Sequence, residues 1–214
     1  MPDATPDSNA VVLHDELADN IIGIYEAHAT EWAAARRSGR GVEQAWLEKF
    51  AALLPVHAAV LDIGCGCGEP IANYFIEHDF AVTGIDSSPA MIAMCRERFA
   101  EQQWLEADMR SLALGKLFHG LLAWDSFFHL KPDDQRRMFA IFGEHAASGA
   151  ALMFTSGPAH GESIGMLEGE PLYHASLDPA EYHRLLAMYG FSLVAHVAED
   201  PNCGGHTVWL AQRQ

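Results

Sequence analysis

Basic residues are scarce in this sequence of 214 residues, in which 13 lysines and arginines stand against 29 acidic residues. The formal net charge is −16 at pH 7. Affinity for nucleic acid depends largely on Lys and Arg side chains that neutralise phosphates. The pairs Arg36-Arg37 and Arg136-Arg137 are isolated, as on solvated helix faces, and no basic stripe occurs. The composition therefore predicts that nucleic acid is not a partner.

Long apolar runs are also lacking, since none approaches the roughly 20 residues that a membrane-spanning helix needs. Residues 1–9 are polar and contain proline, without the basic and apolar regions of a secretory signal peptide. We predict a disordered tail over residues 1–14 and a single domain over residues 15–214. The expected location is the cytoplasm, with no membrane partner.

Cysteine is sparse and lacks the spacing of a disulfide framework or a zinc site, because the four cysteines include no C-x-x-C pair. We expect all four to be reduced. Asp200, Cys203 and His206 have a plausible spacing for metal ligands. No motif supplies a fourth ligand, however, and the neighbouring proline and glycines indicate a turn. The sequence therefore predicts no metal site.

A glycine-rich segment follows an apolar run at residues 60–63 that contains Asp62. The glycines stand at alternate positions: Gly64, Gly66 and Gly68. A continuous apolar run is typical of a buried parallel strand, and glycines directly after it allow a tight turn and close approach to a ligand. A helix-compatible segment follows, and then a second apolar run that ends at Asp86. Strand, loop, helix, strand and acid together outline a nucleoside-cofactor site.

The glycine spacing distinguishes between two classes of cofactor. In the dinucleotide fingerprint G-x-G-x-x-G, the third glycine would fall at position 69, where the sequence has Glu69. A carboxylate there suits the helix dipole but repels a phosphate on the same amides. With Asp62 just before the loop, the pattern favours a ligand with a cationic group and no phosphate. An NAD(P)-dependent oxidoreductase on a Rossmann fold is the alternative.

These residues resemble the class I S-adenosylmethionine-dependent methyltransferases of the small-molecule type, whose first motif is acid-x-G-x-G-x-G. The resemblance runs from about Ile21 to the C-terminus, with Asp62, Asp86 and Asp108 each at a strand end. It implies S-adenosylmethionine as the cofactor, methyl transfer to a small-molecule acceptor, and a monomer or homodimer. A module that binds the cofactor without turnover is a second alternative.

The alternation of strands and helices predicts an α/β fold, a three-layer sandwich around a mostly parallel sheet. The last two strands lack an intervening helix and are expected to pair antiparallel. The resemblance implies seven strands with this hairpin at one edge, and helices over residues 15–36 and 42–54 as a helical cap. The predicted strands are residues 59–63, 81–85, 103–106, 120–124, 150–155, 191–197 and 207–211.

The resemblance also assigns cofactor-binding roles to residues of the loop and the strand ends. Asp86 would accept the ribose hydroxyls, Asp108 would accept from the adenine amino group, and Asp62 would hold the ammonium. From the cap, Arg36 would bind the methionine carboxylate. The full predicted cofactor set is Tyr25, Trp32, Arg36, Asp62, Gly64, Cys65, Gly66, Gly68, Asp86, Ser87, Met91, Asp108, Met109 and Trp124.

Histidines near the strand ends are candidates for the acceptor site, because histidine is neutral enough at pH 7 to accept a proton. His129, after the fourth strand, is the predicted catalytic base. The predicted substrate residues are His160, Tyr173, His174 and His206. Each histidine also fits a structural role in a loop or the core. Residues 157–176, rich in glycine and longer than most connections, are predicted to form a lid or a disordered stretch.

Overall fold

The structure, a computed structural model, describes residues 8–38 and 41–214. Its nine strands in these residues are β1 Ala59–Ile63, β2 Ala81–Asp86, β3 Gln103–Glu106, β4 Phe118–Ala123, β5 Ala146–Ser156, β6 Gly161–Leu167, β7 Glu170–Ser176, β8 Phe191–Asp200 and β9 His206–Arg213. Seven of them form one sheet in the order β3-β2-β1-β4-β5-β9-β8, and β6 pairs with β7 in a separate hairpin.

The pairing of the strands places a switch point in the middle of the large sheet. Strand β1 pairs in parallel with β2 on one side and with β4 on the other. Strand β9 pairs antiparallel with both β5 and β8. The predicted seven-stranded, mostly parallel sheet with an antiparallel edge is therefore confirmed. Ligands of such sheets bind beyond the carboxyl ends of the strands at the switch point, which here lies between β1 and β4.

The helices of the described residues are α1 Ser8–Asp19, α2 Ile21–Ala27, α3 Ala29–Ser38, α4 Gln44–Ala51, α5 Ile71–Glu77, α6 Pro89–Arg98, α7 Pro132–His145 and α8 Pro179–Met188. Helix α6 begins at a capped terminus, because the Ser88 side chain accepts a hydrogen bond from the Met91 amide and Pro89 occupies the first turn. None of these helices is long and apolar enough to cross a membrane.

Two apolar layers fix the strand ends by packing on opposite faces of the sheet. One layer is rich in aromatic side chains, including Phe127, Phe154 and Trp209, all fully buried. The other includes Trp46 and Phe75. Burial of each large side chain contributes about 1.5–3 kcal/mol. Helix α4 supplies part of the second layer, so it belongs to the core rather than to a cap over the site.

The N-terminal helices differ from the single helix predicted over residues 15–36. Helix α1 begins at Ser8, so residues 8–14 are helical and do not belong to a disordered tail; residues 1–7 of that predicted tail lie outside the described residues. The helices are interrupted at Asn20 and at His28, which separates α1, α2 and α3. Of the predicted helix break at residues 38–41, residues 39–40 also lie outside the described part.

Residues 157–176 contain a regular hairpin, so the prediction of a disordered stretch is wrong. Strands β6 and β7 are joined by a two-residue turn at Glu168 and Gly169, both with positive φ. This is the backbone conformation of the commonest hairpin loops. The hairpin packs through Leu172 and Tyr173 against Ile21 and other residues of the N-terminal helices. That the hairpin moves as a lid stays a prediction.

Candidate active site

A cleft that is open to solvent lies at the carboxyl ends of the strands and beneath α2 and α3. The structure brings most of the predicted site residues together there. Those that line the cleft are Tyr25, Trp32, Arg36, Asp62, Gly64, Cys65, Gly66, Asp86, Ser87, Met91, Asp108, Met109, Trp124 and His129. Their individual roles toward a cofactor stay predictions.

Five predicted site residues do not line the cleft. Gly68 packs the loop against α6, because a Cβ at this position would lie 3.0 Å from the Phe99 ring and 3.3 Å from Cys95 Sγ. His160 is exposed, in the connection that leads into the hairpin. Tyr173 is buried and donates its hydroxyl to Glu162. His174 and His206 lie behind the cleft wall, against His129 and Trp124 respectively.

The glycine loop is pinned to the neighbouring strand by its backbone. The amides of Gly64 and Cys65 both donate to the Ile85 carbonyl, at 2.8 and 2.9 Å. The Trp32 ring covers Gly66, where a Cβ would lie 2.6 Å from the ring. Only glycine allows this contact, and Gly66 also has φ +53. The loop therefore presents bare backbone to the cleft.

Asp86 ties the loop to the end of β2. One carboxylate oxygen accepts from the Gly66 amide and the other from the Ser88 amide, each at 2.9 Å. Burial raises the pKa of Asp86, and the hydrogen bonds from the Ser88 and Gly66 amides oppose this rise. A carboxylate has about four lone-pair sites, so two remain for hydroxyl donors of a ligand.

Asp62 is a buried carboxylate with an unsatisfied oxygen. Burial, together with the charge of Asp86, raises the pKa of Asp62 to about 7, and Arg36 opposes this effect. Its Oδ2 atom accepts no hydrogen bond, while Arg36 Nε and Trp124 Nε1 are buried donors without an acceptor. All three residues line the cleft. Unpaired buried polar atoms are costly, so this end of the cleft suits a ligand that carries both an ammonium and a carboxylate.

Asp108 lies at the rim of the cleft and pairs with Arg110, which the sequence did not indicate as its partner. The Arg110 side chain donates to both carboxylate oxygens of Asp108 at 2.6 to 3.0 Å, and the Arg110 amide donates as well. Although burial acts to raise the pKa of Asp108, these bonds and the Arg110 charge lower it. Lys131, also missed, is bound to Asp15 and Asp19 across the rim.

His129 joins the N-terminal helices to the hairpin. Its Nδ1 lies 2.8 Å from the Tyr173 carbonyl, which only accepts, so this nitrogen carries the proton. Its Nε2, 2.9 Å from the Tyr25 hydroxyl, accepts. Burial, with a smaller effect of His174, lowers the pKa of His129 to about 4. The imidazole is therefore neutral at pH 7, and a substrate reaches its lone pair only when the Tyr25 hydroxyl leaves. Its role as the catalytic base stays a prediction.

The low pKa of His129 predicts a pH-dependent stability. Below about pH 6.5 the unfolded chain binds a proton at this residue, whereas the folded protein resists until about pH 4. The contribution of His129 to the free energy of unfolding is therefore expected to fall by about 3 kcal/mol between these pH values, while the raised pKa of Asp62 acts in the opposite direction. Urea unfolding of the protein and of His129→Gln at several pH values measures this term. The difference between the protein and this variant should show the fall, and His119→Gln, at the exposed second position of β4, should behave as the unchanged protein does. Equal slopes in the protein and in His129→Gln would contradict the assignment.

Asp125 and His206 form an ion pair that the sequence did not reveal as a pair. His206 Nδ1 lies 2.6 Å from the Cys203 carbonyl, and Nε2 lies 3.0 Å from the Asp125 carboxylate. Both partners only accept, so both ring nitrogens donate and His206 is an imidazolium. The hydrogen bond to Asp125 raises the pKa of His206, against burial and the charge of Arg36.

No group of three or more metal-ligating side chains occurs within residues 8–38 and 41–214.

A model of the methyltransferase domain matches residues 60–149 of the chain. Malonyl-[acyl-carrier protein] O-methyltransferase of Pectobacterium atrosepticum is 39% identical over 69 residues, which is 31% of this chain and 27% of that protein. Trans-aconitate 2-methyltransferase of Escherichia fergusonii is 46% identical over 55 residues, 24% of this chain and 21% of that protein. The chain thus spans about a quarter of the length of the curated relatives that it matches.

Solved structures resemble the fold over most of its length. The 1,6-didemethyltoxoflavin-N1-methyltransferase of Burkholderia thailandensis, bound to its substrate and S-adenosylhomocysteine, has a TM-score of 0.68 and 20% identity, covering 100% of this chain and 92% of that one. The N-methyltransferase NodS of Bradyrhizobium japonicum, bound to S-adenosylhomocysteine, has a TM-score of 0.69 and 16% identity, covering 91% and 98%. At these identities the likeness shows a shared fold.

Proposed function

We propose that this protein transfers a methyl group from S-adenosylmethionine to a small molecule. The match of residues 60–149 to the methyltransferase domain model and the class I methyltransferase fold support this proposal. The observation that carries the proposal is the set of unsatisfied buried atoms on Asp62, Arg36 and Trp124. An amino-acid zwitterion supplies a partner for each, with its ammonium at Asp62 and its carboxylate at the two donors.

The remaining residues of the cleft fit the nucleoside part of this cofactor. Asp86 keeps two lone-pair sites for the ribose hydroxyls. Met91 is buried on α6 and offers an apolar surface to the adenine ring. Bound S-adenosylmethionine supplies a methyl group on a positively charged sulfur, which is already activated for attack. The protein therefore has to bind, orient and exclude water.

A nicotinamide dinucleotide fits this cleft poorly. Glu69 lines the cleft beside the glycine loop, where it is paired with Arg98 and lies 3.9 Å from Arg37 Nε. The next helix, α5, begins only at Ile71. A pyrophosphate on the loop would meet Glu69, Asp62 and Asp86. The charge of the site thus supports the sulfonium cofactor and gives no support to the oxidoreductase alternative.

Contacts between α2 and the hairpin cover part of the cleft, and this supports a small acceptor. The Tyr25 hydroxyl, His129 and the Tyr173 carbonyl link α2 to the hairpin, which narrows access to the strand ends. Polymeric acceptors need a more open face.

A cytoplasmic location belongs to the same proposal, and it is supported by four cysteines that are free thiols.

Thermal unfolding with and without ligands tests the cofactor. S-adenosylmethionine and S-adenosylhomocysteine are both expected to raise the Tm, because a ligand at a hundredfold excess over its Kd stabilises the folded state by about 2.7 kcal/mol. NAD and NADP should leave the Tm unchanged. A shift with the dinucleotides and none with the sulfonium would reject the proposal. Binding without methyl transfer to any acceptor in a radiolabel screen would identify a binding module instead.

A further inference from the structure

Asp125 occupies a strained position at the inner wall of the cleft. It lies two residues beyond β4, lines the cleft, and has φ +48. Residues other than glycine seldom adopt this left-handed region, and such strain persists where the surrounding structure fixes the residue and often marks functional sites. Its side chain is 25% exposed, so the carboxylate is accessible from the cleft.

Two buried or half-buried neighbours hold this carboxylate in place. The Asp125 amide donates to Thr155 Oγ1 at 2.9 Å, and the Thr155 hydroxyl lies 3.4 Å from Asp125 Oδ1. The His206 imidazolium lies 3.0 and 3.2 Å from the two carboxylate oxygens. The ring of His206 is itself fixed, between the Cys203 carbonyl and the Trp124 ring at a centroid distance of 5.5 Å. Asp125 is therefore a preorganised negative charge.

The charge of the cleft disfavours an anionic acceptor. Its lining includes seven carboxylates and three side chains of Lys or Arg. Each of these three cations already contacts a carboxylate: Arg36 contacts Glu43, Arg110 contacts Asp108, and Lys131 contacts Asp15 and Asp19. Among the described residues that line the cleft, every lysine and arginine thus contacts a carboxylate, and the remaining donor of Arg36 is the one that we assign to the cofactor carboxylate. An acceptor that carried a carboxylate would meet repulsion from Asp62, Asp86 and Asp125.

We propose that the methyl acceptor is an amine, that Asp125 accepts hydrogen bonds from its N–H groups, and that His206 is the positioning residue for Asp125. This inference rests on the methyltransferase function proposed above. The bound ammonium first loses a proton to water. The lone pair of the resulting neutral amine then attacks the methyl carbon, a carbon–nitrogen bond forms, and the carbon–sulfur bond breaks with its electron pair going to sulfur. Positive charge passes from sulfur to nitrogen, where Asp125 stabilises it. The product ammonium then loses a proton to water.

Binding of a matched pair of probes to the complex with S-adenosylhomocysteine tests the acceptor class. Benzylamine and benzoate have similar shape and opposite charge, and NMR titration that follows the Trp124 indole signal gives both Kd values. Benzylamine is expected to bind at least about tenfold tighter, since one modest charge interaction supplies that ratio. Asp125→Asn should abolish the preference and leave the Kd for S-adenosylhomocysteine within about twofold. Asp134→Asn, which removes another carboxylate of the cleft, should keep the preference.

A spectroscopic readout separates positioning by His206 from a structural role. The NMR signals of the His206 ring nitrogens should be those of an imidazolium at neutral pH, and Asp125→Asn should lower the pKa of His206, because the hydrogen bond to the carboxylate raises it. His206→Gln, whose amide still donates to Asp125, should keep more of the amine preference than His206→Leu.

Three results would overturn the inference: tighter or equal binding of benzoate, no saturable binding of benzylamine, or an unchanged preference in Asp125→Asn. If the protein fails to bind S-adenosylhomocysteine at all, the proposed function itself fails.

Discussion

Gly64→Ala is expected to destabilise the folded protein by about 2–5 kcal/mol, a large fraction of the 5–15 kcal/mol typical of a domain. Gly64 has φ +75, a conformation that costs an L-residue about 1–2 kcal/mol. A Cβ would also overlap the Ser126 Cβ and lie 2.8 Å from its Oγ. Ser126 cannot move away freely, because its hydroxyl donates to the Ile63 carbonyl at 2.7 Å. Overpacking of this kind costs about 1–3 kcal/mol.

Gly149→Ala is the matched control for this substitution. Gly149 has φ +76, and a Cβ there would meet nothing within 4 Å. Its loss of stability in urea unfolding should therefore be about 1–2 kcal/mol, from the backbone conformation alone. The difference between the two variants measures the contact with Ser126. Equal losses would mean that the glycine loop and the segment after β4 are not packed as the structure has them.

Asp86→Ala is expected to weaken binding of S-adenosylhomocysteine by about 1.5–3 kcal/mol, because it removes charge-assisted hydrogen bonds to two hydroxyls. This is roughly a tenfold to hundredfold rise in Kd, which isothermal titration calorimetry measures. The substitution should also lower stability, since the amides of Gly66 and Ser88 lose their acceptor.

Asp19→Ala is a suitable control for the loss of one negative charge at the cleft. Asp19 lines the rim and is bound to Lys131, which keeps Asp15 as a second partner. Its removal should leave the Kd nearly unchanged. If Asp86→Ala folds and binds S-adenosylhomocysteine as tightly as the unchanged protein, the ribose is held by other residues.

The sheet and the inner cleft could be predicted because their signals are local. Apolar runs that end in an acid or glycine identify buried strands and their carboxyl ends, and parallel strands bring those ends together. Asp62 and Asp86 were found in this way, and the structure places both in the cleft. Their hydrogen bonds were not predictable. The contact of Asp86 with Gly66 depends on how the loop folds back on β2.

The features that sequence reasoning missed depend on tertiary contacts. The hairpin turn at Glu168-Gly169 lacks the Asn-Gly or Asp-Gly signature, so its strands were assigned to an irregular segment. The interruptions between α1, α2 and α3, at Asn20 and His28, lie within a sequence that is compatible with one continuous helix. The pairing of Asp125 with His206 joins residues 81 positions apart, and the sequence around Asp125 does not indicate its positive φ.

The hydrogen bonds of Glu26, on α2, bear on how long a ligand stays bound in the cleft. Its carboxylate accepts from the Ser88 hydroxyl at 2.5 Å and from the Ala90 amide at 3.0 Å, at the first turn of α6. Helix α2 thus holds the start of the helix that packs beside the cleft, in addition to its link through Tyr25 and His129. Movement of α2 away from the cleft therefore has to break both attachments. We therefore expect these two attachments to slow the release of a ligand bound beneath α2.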